Sequence, residues 1–219
     1  MFAAKKDDFM EKICYIIGAG DVVDPNIKAS ADDLIICADG GYKYKTLLGR
    51  ECDMVVGDFD SLGSIPDIEN KIVAPTEKDE TDMMLAVDYG YSKGYRKFVL
   101  LGALGGERND HSVANIQLLH YIALKGARGT ILHGDEVFTA FKNGTLTLGA
   151  DLKGYISVFS LSGESRGVTI RNLKYTVDDF TLCSYKPIGV SNEFLGKEST
   201  ITVEDGALLV VYKSLNVEM

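Results

Sequence analysis

Short apolar runs that end in Gly-rich or Asp-rich segments recur along the first half of the chain. Four such runs predict buried strands, and they cover residues 13–17, 34–37, 54–56 and 98–101. Other segments carry apolar side chains at helical spacing and predict helices over residues 42–48, 81–93 and 112–125. Because strands alternate with helices, we predict right-handed crossovers and a mostly parallel sheet.

The pattern changes after about residue 140. Short segments there alternate apolar with polar side chains and are separated by Gly or Asn, which predicts an antiparallel sandwich or barrel. These segments are residues 145–148, 155–161, 167–170, 199–203 and 208–212. We therefore predict an α/β fold with an N-terminal, mostly parallel sheet flanked by helices in residues 1–142. A C-terminal antiparallel β-sandwich follows in residues 143–219.

Composition and charge limit the classes of partner. The 219 residues carry a formal net charge of −9, which disfavours nucleic acid or an anionic lipid surface as the main partner. No apolar run approaches the roughly 18 residues of a membrane span, and we see no export signal. The four cysteines are widely spaced without a Cys-x-x-Cys pair, which argues against a disulfide framework or a structural zinc site. We expect a soluble, cytoplasmic protein.

Two carboxylates follow the third predicted strand, in the segment Gly57-Asp58-Phe59-Asp60-Ser61. If the extended backbone continues, Asp58 and Asp60 project to one side while Phe59 packs on the other. In an open parallel sheet, ligands bind beyond the carboxyl ends of the strands, where this pair is expected. A divalent cation relieves the repulsion between neighbouring carboxylates. The alternative interpretation is a turn in which both Asp side chains cap backbone amides.

A second acidic segment, Lys78-Asp79-Glu80-Thr81-Asp82, precedes a predicted helix. Helix capping by Asp or Thr explains the segment, since such side chains accept hydrogen bonds from free amides. Alternatively, Asp79 and Asp82 share a face of the first helical turn and meet a bound ion there.

The third segment, residues 102–115, combines three glycines with Arg108, Asp110 and His111 at a predicted helix start. Amides freed by glycine and one guanidinium form a phosphate cradle at a helix N-terminus. The spacing matches neither a P-loop nor Gly-x-Gly-x-x-Gly. For His111, a capping or packing role is favoured over that of a base.

Acidic residues and glycines thus coincide at the strand ends and helix starts of one predicted sheet. The acids are Asp39, Asp58, Asp60, Asp82 and Asp110. Turns and caps would have to explain each one separately. A single site for Mg²⁺ and a polyphosphate explains them together, because Mg²⁺ takes oxygen ligands from a few carboxylates, phosphate and water.

In order along the chain, these motifs resemble the thiamine pyrophosphokinase family. They are Asp39-Gly40-Gly41, Gly57-Asp58-Phe59-Asp60-Ser61, Lys78-Asp79-Glu80-Thr81-Asp82, Gly105-Gly106-Glu107-Arg108-Asn109-Asp110-His111 and, later, Ser191-Asn192-Glu193. The resemblance spans about residues 13–212. It implies an ATP-binding α/β domain, a thiamine-binding β-sandwich, and a homodimer with active sites shared between subunits. It also implies transfer of a diphosphoryl group from ATP to the thiamine hydroxyl with release of AMP.

The resemblance assigns roles to particular residues. The catalytic set is Asp58, Asp60, Asp82, Arg108 and Asp110, of which the first three also bind Mg²⁺ and either Asp82 or Asp110 accepts the hydroxyl proton. Residues implied to contact ATP or thiamine are Gly18, Asp39, Gly40, Gly41, Ser61, Lys78, Asp79, Thr81, Gly105, Gly106, Tyr175, Ser191 and Asn192. Many family members place Trp near the thiamine pocket. This chain has no Trp, and Tyr175 stands at the corresponding position with a smaller ring.

Three other functions fit parts of the pattern. A haloacid-dehalogenase-like phosphatase also places Asp-x-Asp after a strand, with Asp58 as nucleophile and Asp60 as acid or base. A related diphosphokinase would act on another alcohol, such as a hydroxymethyl pterin. A nucleotide-binding sensor would bind ATP without turnover.

Overall fold

The structure is a computed structural model of the chain, described here for residues 12–59, 68–75, 77 and 79–214. Its parallel half contains the strands β1 (Ile13–Ile17), β2 (Leu34–Ala38), β3 (Met54–Gly57), β4 (Lys71–Val73), β5 (Lys97–Leu101) and β6 (Arg128–His133). Its antiparallel half contains β7 (Glu136–Leu148), β8 (Tyr155–Ser160), β9 (Glu164–Arg171), β10 (Val177–Cys183), β11 (Asn192–Glu193) and β12 (Ser199–Lys213). The two α-helices of the described residues are α1 (Asp82–Ser92) and α2 (Asn109–Leu124).

The parallel strands lie in the order β4-β3-β2-β1-β5-β6, and β7 continues the same sheet antiparallel to β6. One face packs against α1 and α2 through Met83, Val87 and Leu119. The opposite face forms a second core that contains Tyr15 and Phe59. Both faces are buried, which explains why these strands are continuous apolar runs in the sequence.

The antiparallel half surrounds a third core that includes Ile156, Val168 and Ile201. Strand β12 pairs with β7 along most of its length and carries an irregularity between Val203 and Ala207. Its first part pairs with β9 and its second part with β8. One long strand therefore replaces the two separate strands predicted at 199–203 and 208–212.

The predicted fold class is confirmed: an α/β fold with a mostly parallel N-terminal sheet and antiparallel C-terminal strands. The helix predicted over residues 42–48 is instead a 3-10 helix at Asp39–Tyr44, and α2 begins at Asn109 rather than at residue 112. Strand β7 runs through the boundary predicted at residues 142 and 143, and the division into two domains stays a prediction. Neither α-helix in the described ranges is long and apolar enough to span a membrane.

Candidate active site

A small cleft of about 80 Å³ lies at the carboxyl ends of β1 and β2, where it meets the first turns of α1 and α2. Ligands of open α/β sheets bind at this position. Ten residues line the cleft: Gly18, Ala19, Ala38, Asp39, Thr81, Asp82, Met83, His111, Ala114 and Asn115. The structure thus brings together Gly18, Asp39, Thr81 and Asp82, which the sequence predicted as site residues from three separate segments.

The two carboxylates of the cleft come from different elements. Asp39 follows β2 directly, at a backbone φ of +44°. The end of β3 lies against it, since a Cβ added at Gly57 would be 3.1 Å from the Asp39 Cα. Asp82 is the first residue of α1. Asp39 and Asp82 are far apart in the sequence, and the fold of the sheet brings them into one cleft.

Thr81 caps α1, since its side-chain oxygen accepts a hydrogen bond from the Met84 amide at 3.2 Å. This confirms the capping interpretation for Thr81. Asp79 lies outside the helix and is exposed. The shared helical face proposed for Asp79 and Asp82 is therefore wrong, because α1 begins only at Asp82.

The segment after β3 differs from its prediction. Phe59 is buried, at 2% exposure, as expected. Its φ of +59° lies in the left-handed region, however, so the extended backbone ends before it. The extended backbone through Phe59 that this prediction required is therefore not observed. Asp60, Ser61 and Lys78 lie outside the described residues, and their predicted roles stay predictions.

Glycines at the cleft allow two loops to approach each other. The Gly18 amide donates to the Leu101 carbonyl at 2.8 Å, and the Gly20 amide donates to the Gly102 carbonyl at 2.9 Å. A Cβ at Gly18 would lie 2.7 Å from the Gly102 oxygen, which is too close for any side chain. The observed close approach at Gly18 is therefore between backbone segments, and its contact with a substrate stays a prediction.

The other predicted glycines are similarly constrained. A Cβ at Gly41 would lie 1.9 Å from the Ile17 oxygen, and Gly40 beside it is also buried. Gly105 and Gly106 have φ values of +73° and +75°, where glycine is the favoured residue.

Side chains of α2 fix this glycine loop. The buried Asn115 amide donates to the Ala103 carbonyl at 2.7 Å, and the Ser112 hydroxyl accepts from the Gly105 amide at 3.0 Å. Ser112 was not among the predicted site residues. The sequence feature that could have identified Ser112 is a polar side chain in the first turns of α2, near enough along the chain to form a hydrogen bond with the preceding glycine loop.

Arg108 and Asp110 contact each other rather than the cleft. The guanidinium donates to both carboxylate oxygens of Asp110, at 3.0 and 2.7 Å, on the protein surface. This hydrogen bonding lowers the pKa of Asp110 to about 2. Asp110 is therefore ionised at neutral pH and has little tendency to accept a proton.

The donor set of the cleft suits a hard cation. Asp39 and Asp82 provide carboxylate oxygens, and Asp58 follows the neighbouring strand end. Within the described part of the chain, no three His, Cys, Asp or Glu side chains group closely enough to hold a metal ion. Two or three oxygen donors still fit Mg²⁺, which usually keeps several waters and binds through one or two carboxylates plus substrate phosphates.

A second cavity, with a volume of about 350 Å³, lies in the antiparallel half. We call it the apolar groove. Its lining residues are Val158, Ile170, Tyr175, Val177, Phe180, Leu182, Ile188, Gly189, Val190 and Asn192. Two of the three residues predicted to bind thiamine, Tyr175 and Asn192, line this groove. The third, Ser191, is adjacent in sequence, with its amide donating to the Ser157 hydroxyl at 3.2 Å.

Asn192 positions the Tyr175 backbone. Its side-chain oxygen accepts from the Tyr175 amide at 2.9 Å, and its side-chain nitrogen donates to the Tyr175 carbonyl at 2.7 Å. The same oxygen accepts from the Glu193 amide at 2.9 Å. Asn192 is only 7% exposed, whereas Tyr175 is 60% exposed at the rim of the groove. The buried side-chain amide of Asn192 thus holds the backbone that carries the exposed Tyr175 ring.

Two family models match the chain. Residues 25–131 match the catalytic domain of thiamin pyrophosphokinase, and residues 145–208 match its vitamin B1 binding domain. The cleft residues from Ala38 to Asn115 fall in the first match, and the whole groove lining falls in the second. A thiamine pyrophosphokinase from Bacillus subtilis is 27% identical over 162 residues, which cover 71% of this chain and 75% of that relative.

Solved structures show the same fold. Thiamine pyrophosphokinase from Bacillus subtilis superposes with a TM-score of 0.81 at 24% identity, covering 93% of this chain and 99% of that one. The enzyme from Geobacillus thermodenitrificans gives 0.78 at 27% identity, covering 92% and 97%. The yeast enzyme gives 0.72 at 15% identity, covering 95% and 88%. From the two domain matches, which together span more than half of its length, the chain belongs to the thiamin pyrophosphokinase family.

Proposed function

We propose that this protein transfers a diphosphoryl group from ATP to the hydroxyl of thiamine, giving thiamine diphosphate and AMP. One observation carries the proposal: each matched domain contains one cavity lined by residues that the sequence assigned to substrate binding. The cleft that contains Asp39 and Asp82, called the acidic cleft below, lies in the catalytic-domain half. The apolar groove lies in the vitamin B1 binding half. The two cavities suit a charged nucleotide tail and an aromatic substrate, respectively.

The cleft would bind the phosphates of ATP together with Mg²⁺. Asp58, Asp60 and Asp82 are the proposed ligands, with Asp39 beside the nucleotide. When bound, the metal neutralises phosphate charge as the diphosphoryl group moves. The protein's own contribution is to position the reactants, and the hydrogen bonds from Asn115 and to Ser112 serve this by fixing the glycine loop.

Asp82 is the better candidate for the base that accepts the thiamine hydroxyl proton. It lines the cleft at the start of α1. Asp110 is paired with Arg108, and its low pKa of about 2 makes it a weak base. We therefore assign Asp110 to holding Arg108, and Arg108 to steadying the polyphosphate.

The apolar groove would bind the thiamine rings. Val158, Ile170 and Leu182 provide apolar walls, and the Tyr175 ring at the rim offers a face for stacking. The Lys174 ammonium lies 5.5 Å from the centre of that ring and is hydrogen-bonded to the Glu193 carboxylate. Glu193 thus compensates a positive charge that would otherwise repel the thiazolium cation.

We also propose a homodimer in which each active site combines the cleft of one subunit with the groove of the other. Large apolar side chains are exposed on the antiparallel half, and three of them, Tyr175, Ile188 and Val190, line the groove, which favours contact with a second copy. They are Tyr155, Tyr175, Tyr185, Ile188, Val190 and Leu195, each at least 50% exposed. Mixing Asp82→Asn and Tyr175→Ala chains, refolded together, tests this arrangement. Mixed dimers should recover activity that neither variant has alone, and no recovery would contradict a shared site.

The reaction is tested by following AMP, ADP and thiamine diphosphate in a mixture of protein, ATP, thiamine and Mg²⁺. We expect AMP and thiamine diphosphate in equal amounts, and no turnover after EDTA treatment. Release of ADP would overturn the diphosphoryl transfer. ATP binding without AMP would support the sensor, and activity with a hydroxymethyl pterin but not with thiamine would support the related diphosphokinase.

Cytoplasmic localisation is part of the same proposal. All four cysteines, Cys14, Cys37, Cys52 and Cys183, are free thiols, which suits a reducing compartment.

A further inference from the structure

Lys43 reaches the edge of the acidic cleft from the 3-10 helix Asp39–Tyr44. Its ammonium donates to the Ala19 carbonyl at 3.4 Å, and Ala19 lines the cleft. The same ammonium lies 4.8 Å from the centre of the Tyr44 ring. The 3-10 helix begins at Asp39, which also lines the cleft. Asp39 at the start of this helix and the Lys43 ammonium therefore both border the cleft.

The Lys43 ammonium is weakly engaged by the protein. Its hydrogen bond to Ala19 is long compared with the usual 2.7–3.2 Å. Within the described residues, it forms no ion pair with a carboxylate. An ammonium has three donors, so Lys43 retains donors for a ligand.

Lys45, two residues away, provides the contrast. Its ammonium forms a 3.1 Å ion pair with Glu51, and it lies over the Tyr42 ring. Lys43 lies in the 3-10 helix and Lys45 directly follows it, but only Lys43 contacts a residue of the cleft lining.

The cleft needs a cation if it is to bind a polyphosphate. In the described part of the chain, its lining includes the carboxylates Asp39 and Asp82 and no Lys or Arg. The chain as a whole carries a net charge of −9. Of the two basic residues predicted at the site, Lys78 lies outside the described residues, and Arg108 is paired with Asp110. The exposed Lys43 ammonium at the edge would supply a positive charge and a hydrogen bond to an anionic ligand.

We propose that Lys43 binds a phosphate oxygen of ATP at the edge of the acidic cleft and is a nucleotide-binding residue of this protein. The inference rests on the proposed function for the identity of the nucleotide. The chemical claim itself concerns only phosphate: the Lys43 ammonium should bind a nucleotide, which has phosphates, and should not affect binding of a nucleoside, which has none.

Equilibrium binding to the full-length protein tests the inference, with ATP and adenosine as probes. The variant Lys43→Gln removes the charge but keeps a polar side chain, Lys43→Arg keeps the charge, and Lys45→Gln is the matched control. A hydrogen bond to a charged group is worth enough to change affinity about 10-fold or more. We expect Lys43→Gln to weaken ATP binding by about that factor and to leave adenosine binding unchanged. Lys43→Arg should retain most of the affinity, and Lys45→Gln should bind like the wild type.

Three results would overturn the inference. The first is unchanged ATP affinity in Lys43→Gln. The second is equal weakening of ATP and adenosine binding, which would show a structural effect rather than a phosphate contact. The third is an equal loss in Lys45→Gln. The proposed function is judged separately, by AMP formation in the wild type: a protein that binds ATP through Lys43 but makes no AMP would refute the function and leave this inference intact.

Discussion

Replacing Asn192 by Ala should alter the groove through Tyr175. The substitution removes both side-chain hydrogen bonds to the Tyr175 backbone and the one from the Glu193 amide. The neighbouring backbone contacts remain, since the Lys174 amide still donates to the Glu193 carbonyl at 3.0 Å. The segment therefore stays paired, while Tyr175 loses the group that fixes its position.

The magnitude follows from these contacts. Asn192 is 7% exposed and its partners are partly buried, so each lost hydrogen bond contributes about 1 kcal/mol or slightly less. We expect the free energy of unfolding to fall by about 2–3 kcal/mol for the three bonds. For a chain of this length, such a loss lowers Tm by about 4–12 °C. The KM for thiamine should rise about 10-fold, because a misplaced ring loses about 1.4 kcal/mol of binding energy, whereas the KM for ATP should hardly change.

Thermal unfolding and steady-state kinetics measure both effects. Gln117→Ala, at an exposed position of α2, is the control and should match the wild type in Tm and KM. If Asn192 acts through the ring, adding Asn192→Ala to a Tyr175→Ala variant should raise the KM for thiamine no further. Fully additive effects on KM would refute this reasoning and indicate a direct contact between Asn192 and thiamine.

Three further predictions concern the parallel half. Asp82→Asn should lower kcat at least about 100-fold, as expected for loss of a base, whereas Asp110→Asn should retain most of kcat; the reverse order in rate assays would exchange their roles. Gly41→Ala should give little folded protein, because its Cβ would lie 1.9 Å from a β1 carbonyl oxygen, whereas Gly163→Ala, with no atom within 4 Å, should fold normally; circular dichroism distinguishes them. Burial chiefly lowers the pKa of His120 below 6.5, so the folded state binds fewer protons and stability should fall as the pH drops below about 6.5. Denaturant unfolding of His120→Gln should lack this part of the pH dependence, and an unchanged profile would refute it.

Local patterns in the sequence were sufficient for most of the parallel half. Strands β1 and β5 are mostly apolar on both faces, and each strand is followed by a loop that contains glycine. The apolar run and the glycine after it are enough to identify both strands. Strands β4, β6, β10 and β11 were not predicted. β4 has only three residues, and β10 is largely exposed at the edge of the sheet, so neither carries a strong hydrophobic pattern.

The 3-10 helix at Asp39–Tyr44 shows where local reasoning failed. Residues 42–48 have helical spacing, but Gly41 must pass within contact distance of the Ile17 carbonyl. That constraint comes from β1, more than twenty residues earlier in the chain, so no local window contains it. The prediction for the Asp58 segment also failed locally, because Phe59 has a left-handed backbone where an extended one was expected.

By itself, the sequence determined the fold class, the Thr81 cap of α1, and which acids and glycines stand at strand ends. These properties depend on hydrophobic period and on backbone chemistry, which act between near neighbours. Only the tertiary structure decided that Asp39 and Asp82 share a cleft, that Asn192 holds the Tyr175 backbone, and that Lys43 rather than Lys45 borders the cleft. Each of these outcomes depends on distances between segments far apart in the chain, and such distances are set by the packing of the whole sheet.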